Sequence, residues 1–307
     1  MEETERAQHL ETLAETPARL KAALKGVSKK LGAARPAPGK WSILEIVCHM
    51  RDMEAEAYLA RYRRILAEDN PSLPDIDGDA IALERDYRSQ SLPAVLREWS
   101  KLRKENLKLL KKVKGGQWER VGTHATAGRF SVADFLRRQA VGNDEAHLGQ
   151  IEAAVRRFAL LTRLAAGPGT LAEAVKDLAS AAAAAQRSAD GKWSIVENAC
   201  HMRDIELVFA ERFTKMAFSE RPAFWMLDND RVAATKKYRD ADLGAAVKSF
   251  KELRQETLTL LKALPAASWR RTGLHPKRGE LSIEQLAEHL GNHDDKHIAR
   301  IRELRSS

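Results

Sequence analysis

The chain has 307 residues, of which 44% are hydrophobic, and this is enough apolar material for two buried cores. No run of 18 uncharged apolar residues occurs and the start of the chain lacks a signal-peptide pattern, so we predict a cytoplasmic protein without a transmembrane helix. The net charge of +9 leaves nucleic acid or an acidic molecule open as a partner. Cys48 and Cys200 each precede a histidine in a predicted helix, which is typical of reduced core residues rather than of a disulfide.

The sequence contains two copies of one domain. The segment Gly39–Asp52 (GKWSILEIVCHMRD) returns as Gly191–Asp204 (GKWSIVENACHMRD). The offset between equivalent residues falls from 152 to 150 along the chain, which indicates two single-residue deletions in the second copy. A period of this length matches an ordinary domain rather than a solenoid repeat. We predict tandem domains at 1–160 and 161–307, with the boundary near Leu161–Gly169, where two glycines and a proline break any helix.

Each copy is predicted to fold as a bundle of four helices. Ala, Leu, Glu, Lys and Arg dominate the long segments, and their apolar residues recur at helical spacing. The predicted helices are, in chain order, about 4–31, one from the cap at Ser42, about 93–114, one from Ser131, about 170–188, one from Ser194, about 242–264 and one from Ser282. Strand patterns are absent, so the predicted class is all-α, with two tandem four-helix bundles.

The third predicted helix of the first copy is strongly basic. Its basic residues are Arg97, Lys101, Arg103, Lys104, Lys108, Lys111, Lys112 and Lys114. A solvated helix face is the favoured interpretation because no nucleic-acid recognition motif accompanies the charge. Weak association with nucleic acid is the alternative.

The last helix of the second copy carries histidines on its apolar stripe. His293 and His297 fill the gap in a stripe that includes Leu290 and Ile301, so they occupy core-facing positions four residues apart. Two imidazoles at this spacing can bind one metal ion, whereas neutral buried imidazoles without partners are costly. His289 lies one turn earlier on the same face, and its role as a ligand, a neighbour of a ligand or a packed residue stays open.

A mononuclear site needs a third ligand from another helix, and His201 is the candidate. It shares a polar stripe with Glu197 and Asp204, although periodicity alone leaves open whether this stripe faces the core or water. Glu197 completes the capping box that begins at Ser194, so we expect a structural role for it. Asp204 is either a surface carboxylate or a group that assists the site.

These motifs together resemble the DinB-like (DinB/YfiT) superfamily of four-helix bundles. The resemblance lies in the Gly-Lys-Trp-Ser-Ile-x-Glu and Cys-His-Met-Arg-Asp segments and in His289–Ile301, and it covers nearly all of both copies. In that family, one histidine of the second helix and two of the last helix bind a divalent metal, commonly nickel or zinc. The resemblance therefore implies that His201, His293 and His297 are metal ligands in the second domain.

The first domain departs from this pattern. His49 and His147 match two of the family's ligands, but Asn143 stands where the second copy has His293, and Gln139 stands in place of His289. An amide oxygen is a poor ligand for zinc or nickel compared with imidazole. We predict that the set His49, Asn143 and His147 is a remnant that has lost its metal, and that the first domain serves as a structural partner.

The resemblance also implies a class of reaction. Relatives include transferases and isomerases that use low-molecular-weight thiols, so transfer of a small thiol to an electrophile, or a related hydrolysis, is the functional hypothesis. Asp204 would then orient His201 or act as a nearby base. The alternatives are a non-catalytic stress-response or binding module, and a structural role. We also expect the two bundles to form an internal pseudo-dimer in a monomer, or a homodimer.

Overall fold

The computed structural model describes residues 1–36, 39–178, 180–187 and 191–306, which form two compact units, Met1–Arg156 and Arg157–Ser307. Both are helical bundles, so the all-α class and the tandem duplication are confirmed. None of the helices in the described ranges combines the length and apolar composition that a bilayer crossing requires.

The first unit consists of long helical segments joined by short helices and a small sheet. Its helices are α1 (Glu3–Ala23), α2 (Lys29–Ala33), α3 (Ile43–Asp52), α4 (Ala60–Ala67), α5 (Gly78–Glu84), α6 (Leu92–Leu110), α7 (Val132–Arg137) and the beginning of α8 (Glu145–Val175). Two π-helical turns, Met53–Leu59 and Arg138–Asp144, join α3 to α4 and α7 to α8. Its strands are β1 (Ser72–Leu73), β2 (Val121–His124) and β3 (Gly128–Ser131), and its 3₁₀ turns are Tyr87–Ser89 and Gly115–Glu119.

The second unit repeats this arrangement with uninterrupted long helices. Its helices are the later part of α8, then α9 (Ala181–Ala185), α10 (Ile195–Phe218), α11 (Asn229–Thr235), α12 (Leu243–Ala263) and α13 (Ile283–Ser306). Its strands are β4 (Thr272–His275) and β5 (Gly279–Ser282), and its 3₁₀ turns are Tyr238–Asp240 and Ala266–Arg270. Apolar residues of the later part of α8 and of α10, α12 and α13 form its main core.

The predicted helix starts at serine residues are confirmed. The Ser42 hydroxyl accepts from the Glu45 amide, and the Glu45 carboxylate accepts from the Ser42 amide. Ser194 and Glu197 make the same reciprocal pair at the start of α10. Arg187 also donates to the Glu197 carboxylate, so this side chain is committed to the helix start, as expected. Each cap places a histidine two turns further along its helix.

The expectation that strands are absent is wrong in detail. Each unit carries an antiparallel hairpin before its last helix, β2–β3 and β4–β5. These strands have only four residues each, too few for an alternating pattern to stand out. His124 and His275 end the first strand of each hairpin, and their Nδ1 atoms accept amide hydrogens from the turn. The imidazoles therefore hold the two hairpin turns.

The predicted helix break near the domain boundary is also wrong. Helix α8 continues through Pro168 to Val175 and therefore supplies both the last helix of the first unit and the first helix of the second. Proline cannot donate to the carbonyl four residues earlier, which here belongs to Leu164. The buried guanidinium of Arg254 donates to this freed carbonyl, with Nη1 2.8 Å from the oxygen. The proline is thus accommodated because a side chain replaces the missing backbone donor.

Arg254 ties the four helices of the second unit together. Besides the Leu164 carbonyl on α8, its guanidinium donates to Glu206 on α10 and to Asp294 on α13, at distances of 2.7 to 2.9 Å. All three charged side chains are buried. Because an unpaired buried charge is very costly, this cluster requires every member to be present.

The first unit has the same buried cluster around Arg103. Arg103 donates to Glu54, to Asp144 and to the Leu13 carbonyl, which Pro17 leaves without its helical donor. The assignment of Arg103 to the basic outer face of α6 is therefore wrong, because its charge is neutralised in the core. The other seven basic residues of that run are exposed, as expected for a solvated face.

The two π-helical turns explain the drift in the repeat offset. Glu54 and Glu206, which bind equivalent arginines, differ by 152 in number, whereas Ile65 and Met216 differ by 151. These last two accept from equivalent arginines through their carbonyls. The extra residue of the first copy thus lies in Met53–Leu59. Asp144 and Asp294, which also bind equivalent arginines, differ by 150 in number, so the first copy has a second extra residue before Asp144. We place it in Arg138–Asp144, because α13 has no π-helical turn at the equivalent point and α10 has none at the first. Each added residue is absorbed locally as a wider helical turn.

Candidate metal centre

His201 lies inside the bundle of the second unit, which answers the question that periodicity left open. It stands on α10, two turns after the Ser194 cap, and only 4% of its surface is exposed. The Trp193 indole packs edge-on against its imidazole, with 4.9 Å between ring centroids. Helix α10 therefore presents this imidazole to the last helix of the bundle.

Helix α13 brings His293 and His297 to the same point. Their ring centroids are 4.4 Å apart, and that of His201 lies 4.7 Å from His297 and 4.9 Å from His293. The Nε2 atoms of His201 and His293 are 2.9 Å apart. One ring nitrogen from each of the three histidines lies within 4.8 Å of the others. The three residues predicted as ligands are thus assembled by the fold.

The electrostatic environment keeps these imidazoles neutral. Burial is the main cause of a pKa lowered to about 4 for His201 and to about 3 for His297, and the positive charge of Lys296 adds to it. Burial and the neighbouring histidines hold the pKa of His293 well below its ordinary value. Each neutral imidazole offers a ring-nitrogen lone pair, so the donor set fits a divalent transition metal.

Asn198 fixes the orientation of one of the candidate ligands. The Nδ1–H of His297 donates to the Asn198 amide oxygen over 2.8 Å, which leaves its Nε2 lone pair free for a metal. The Asn198 amide nitrogen donates to the carbonyls of Trp193 and Ser194, so the amide cannot easily turn over. Sequence reasoning missed this residue. The signal was present, because the first copy has Ile46 at the equivalent position.

Asp204 is held away from a direct role at the histidines. Its carboxylate accepts from Tyr238 (2.6 Å) and pairs with Arg203 (2.7 Å) and Lys236 (2.9 Å). Burial opposes its ionisation, but these donors lower its pKa. Among the described residues, no hydrogen bond joins it to His201. The predicted role as a base stays a prediction, but its neighbours favour a structural carboxylate, since Asp52 makes the equivalent contact with Tyr87.

A cavity of about 390 Å³ opens above the three histidines. It is lined by Trp193, His201, Asn229, Arg278, His289, Asn292, His293, Lys296 and His297. His289 packs edge-on against Phe209 at 5.5 Å between ring centroids and lies outside the group of three ligand atoms. It is therefore a wall residue of the cavity.

The first unit brings only two of these imidazoles together. His49 and His147 have ring centroids 5.0 Å apart, but Asn143 belongs to the second π-helical turn. The His147 Nδ1 atom contacts the Gln150 amide oxygen on its own helix. Gln139 turns into the buried polar cluster, where its amide donates to Glu54. Within the described residues, only the second unit assembles three such ligands.

The contact between Asn198 and His297 gives a first testable prediction. We expect Asn198→Ile, which installs the residue of the first unit, to weaken zinc binding about 10- to 100-fold, because the ring of His297 loses the acceptor that orients it. Competition with a chromophoric chelator measures the affinity. Asn198→Asp is the matched control, since it retains an oxygen acceptor and should bind within a few-fold of the parent. An unchanged affinity in Asn198→Ile would contradict the orienting role.

The fold and the site together define a class, that of four-helix bundles in which three histidines are placed so that they could hold one metal ion. The model of the DinB superfamily matches residues 12–151 and 163–301, and the chain belongs to this superfamily. Among solved structures it is similar to YfiT from Bacillus subtilis, described as a probable metal-dependent hydrolase with an unusual four-helix bundle topology. That similarity has 21% identity and a TM-score of 0.49 and covers 52% of this chain and 90% of YfiT. A search of curated proteins found no match.

Proposed function

We propose that the second unit is a metal-dependent enzyme that transfers a small thiol to an electrophile, with nickel or zinc held by His201, His293 and His297. One observation carries this proposal: three neutral imidazoles converge on one point at the floor of an open cavity. Three protein ligands leave at least one position free, which is the arrangement of catalytic rather than structural metal sites.

The protein's own residues would prepare the site. Asn198 holds His297 in the tautomer that presents Nε2, and Trp193 packs against His201. When bound, a divalent metal supplies Lewis acidity and favours the deprotonated form of a thiol. The His289 wall and the Trp193 indole would restrict the cavity to a small molecule.

The lining of the cavity favours a thiol over water as the nucleophile. No carboxylate lies in its described lining, so an attacking water would depend on the imidazole of His289, which is a poor proton acceptor because burial lowers its pKa to about 4. The cysteine thiol has an ordinary pKa of about 8.5, so a thiol of this kind loses its proton far more readily than free water does. In the proposed reaction the thiol proton leaves, the sulfur forms a bond to an electrophilic carbon, and the leaving group departs with the bonding pair and takes up a proton.

The proposal is tested with cobalt-loaded protein and 2-mercaptoethanol. We expect the parent to develop the near-ultraviolet absorption that a thiolate gives on binding cobalt, and His293→Asn to lack it. His147→Ala, which changes the equivalent helix of the first unit, is the matched control and should behave like the parent. If the parent retains cobalt but the thiol produces no absorption change, thiol transfer is refuted while metal binding stands.

A further inference from the structure

Two cationic side chains line the cavity of the second unit, and the proposed thiol transfer assigns no role to either of them. Arg278 lies in the turn of the β4–β5 hairpin, and Lys296 lies on α13 between His293 and His297. Both line the cavity, whose described lining contains no acidic side chain. From this juxtaposition we infer that the site takes a substrate bearing an anionic group, which Arg278 and Lys296 bind while the reacting end faces the histidines.

The charge of these two residues is not used elsewhere. In the described parts of the chain, no carboxylate lies within ion-pair distance of Arg278 or Lys296, whereas Arg203 and Lys236 nearby both pair with Asp204. The lining of the cavity holds two cations and no carboxylate, so its charge is positive. Such a cavity attracts an anion and disfavours a cation.

The first unit supplies an internal comparison. The two hairpins share one register, with His124 opposite Gly128 and His275 opposite Gly279, so the residue equivalent to Arg278 is Ala127. Asp144 and Asp294 bind equivalent arginines, and the residue two positions later is Ala146 in the first unit and Lys296 in the second. Both cations are therefore absent from the copy that lacks the third imidazole. The two cations thus occur in the copy that has three imidazoles, which associates them with the molecule that this site binds.

The inference rests on the proposed function and narrows its substrate class. A thiol that carries a carboxylate would place sulfur at the three histidines and its carboxylate between Arg278 and Lys296. The guanidinium suits a carboxylate through paired hydrogen bonds, and the ammonium acts as a compact charge. Because both side chains are exposed, each contact adds only modestly to affinity, roughly two- to fivefold.

The test compares two thiols that differ in charge. Cobalt-loaded parent is titrated with mercaptoacetate and with 2-mercaptoethanol, and the absorption change gives each affinity. The double variant Arg278→Ala/Lys296→Ala installs both residues of the first unit. We expect it to bind mercaptoacetate about five- to tenfold more weakly than the parent, with 2-mercaptoethanol changed less than about twofold and cobalt content unchanged. The ratio between proteins cancels the intrinsic difference between the thiols.

Lys251→Ala/Lys262→Ala is the control, because it removes the same charge from exposed positions on α12. It should behave like the parent. An equal change for both thiols, or none for mercaptoacetate, would overturn the inference while leaving thiol binding intact. If neither thiol binds the cobalt protein, the proposed function fails instead. In that case acetate is titrated into the cobalt protein, and its binding is measured from the visible cobalt absorption bands. Equal acetate affinity in the parent and the double variant would refute the anion preference.

Discussion

We expect His293→Asn to lose most of its bound metal. The parent, purified without a histidine tag or chelator, should carry about one zinc or nickel per chain by mass spectrometry, since among the residues that the structure describes only those of the second unit assemble three imidazoles. Replacing one of them by the amide that the first unit carries at Asn143 removes a ligand outright. Affinity should fall by more than about 100-fold, beyond the effect typical of losing a residue that only orients a ligand.

Matched variants in the first unit make this result specific. His49→Ala and His147→Ala remove imidazoles from the same helical positions, and both should retain the metal content of the parent. About two metals per chain in the parent, with one lost in His147→Ala, would show that the first unit still binds. A parent that stays without metal after incubation with several divalent ions would contradict the assignment of His201, His293 and His297.

The second large effect concerns the buried arginine of each bundle. Arg254→Met leaves Glu206 and Asp294 buried without their cation and leaves the Leu164 carbonyl without a donor. Breaking a buried charge cluster in this way costs about 3–5 kcal/mol. Hydrogen exchange measured by mass spectrometry should show faster global opening in peptides from the second unit, by that free energy.

The duplication supplies the control for this experiment. Arg103→Met should have the same effect on peptides of the first unit, while Lys104→Met and Lys251→Met, at exposed positions of the same two helices, should change opening by less than about 0.5 kcal/mol. If Arg254→Met proved no more destabilising than Lys251→Met, the cluster would contribute nothing and the energetic argument would be wrong.

Much of the helical framework follows from local sequence. Serine caps and apolar spacing mark where α10 and α12 begin, and both helices start within one residue of the predicted position. The continuation through Pro168 does not follow from local sequence, because it depends on a donor from Arg254, which is far away in the chain. Short strands such as β4 are not predicted from the sequence for a related reason, because they are defined by their pairing with another strand rather than by their composition.

The candidate site also has some residues that the sequence predicts and others that only the tertiary structure identifies. The spacing of His293 and His297 on an apolar stripe, and the second appearance of the Cys-His-Met-Arg-Asp segment, are enough to select the three histidines. The roles of Asn198 and Arg254 cannot be predicted in this way, because the sequence pattern of a polar residue on a helix is the same whether its side chain faces water or a buried partner. Burial and contact separate the two cases, and both depend on tertiary structure. For Asn198 the sequence does hold a signal, because the first copy has the apolar Ile46 at the equivalent position.

The wider turns at Met53–Leu59 and Arg138–Asp144 bear on how the two copies diverged. An extra residue in a regular helix would rotate everything after it by about 100° and turn core side chains outward. Here the rotation is cancelled within the turn, so His147 still lies beside His49 at 5.0 Å, much as His297 lies beside His201 at 4.7 Å. The difference between the copies at this point is therefore one of side-chain identity rather than of helix orientation. The two copies therefore share the geometry of the scaffold although they differ in length and in the side chains at this point.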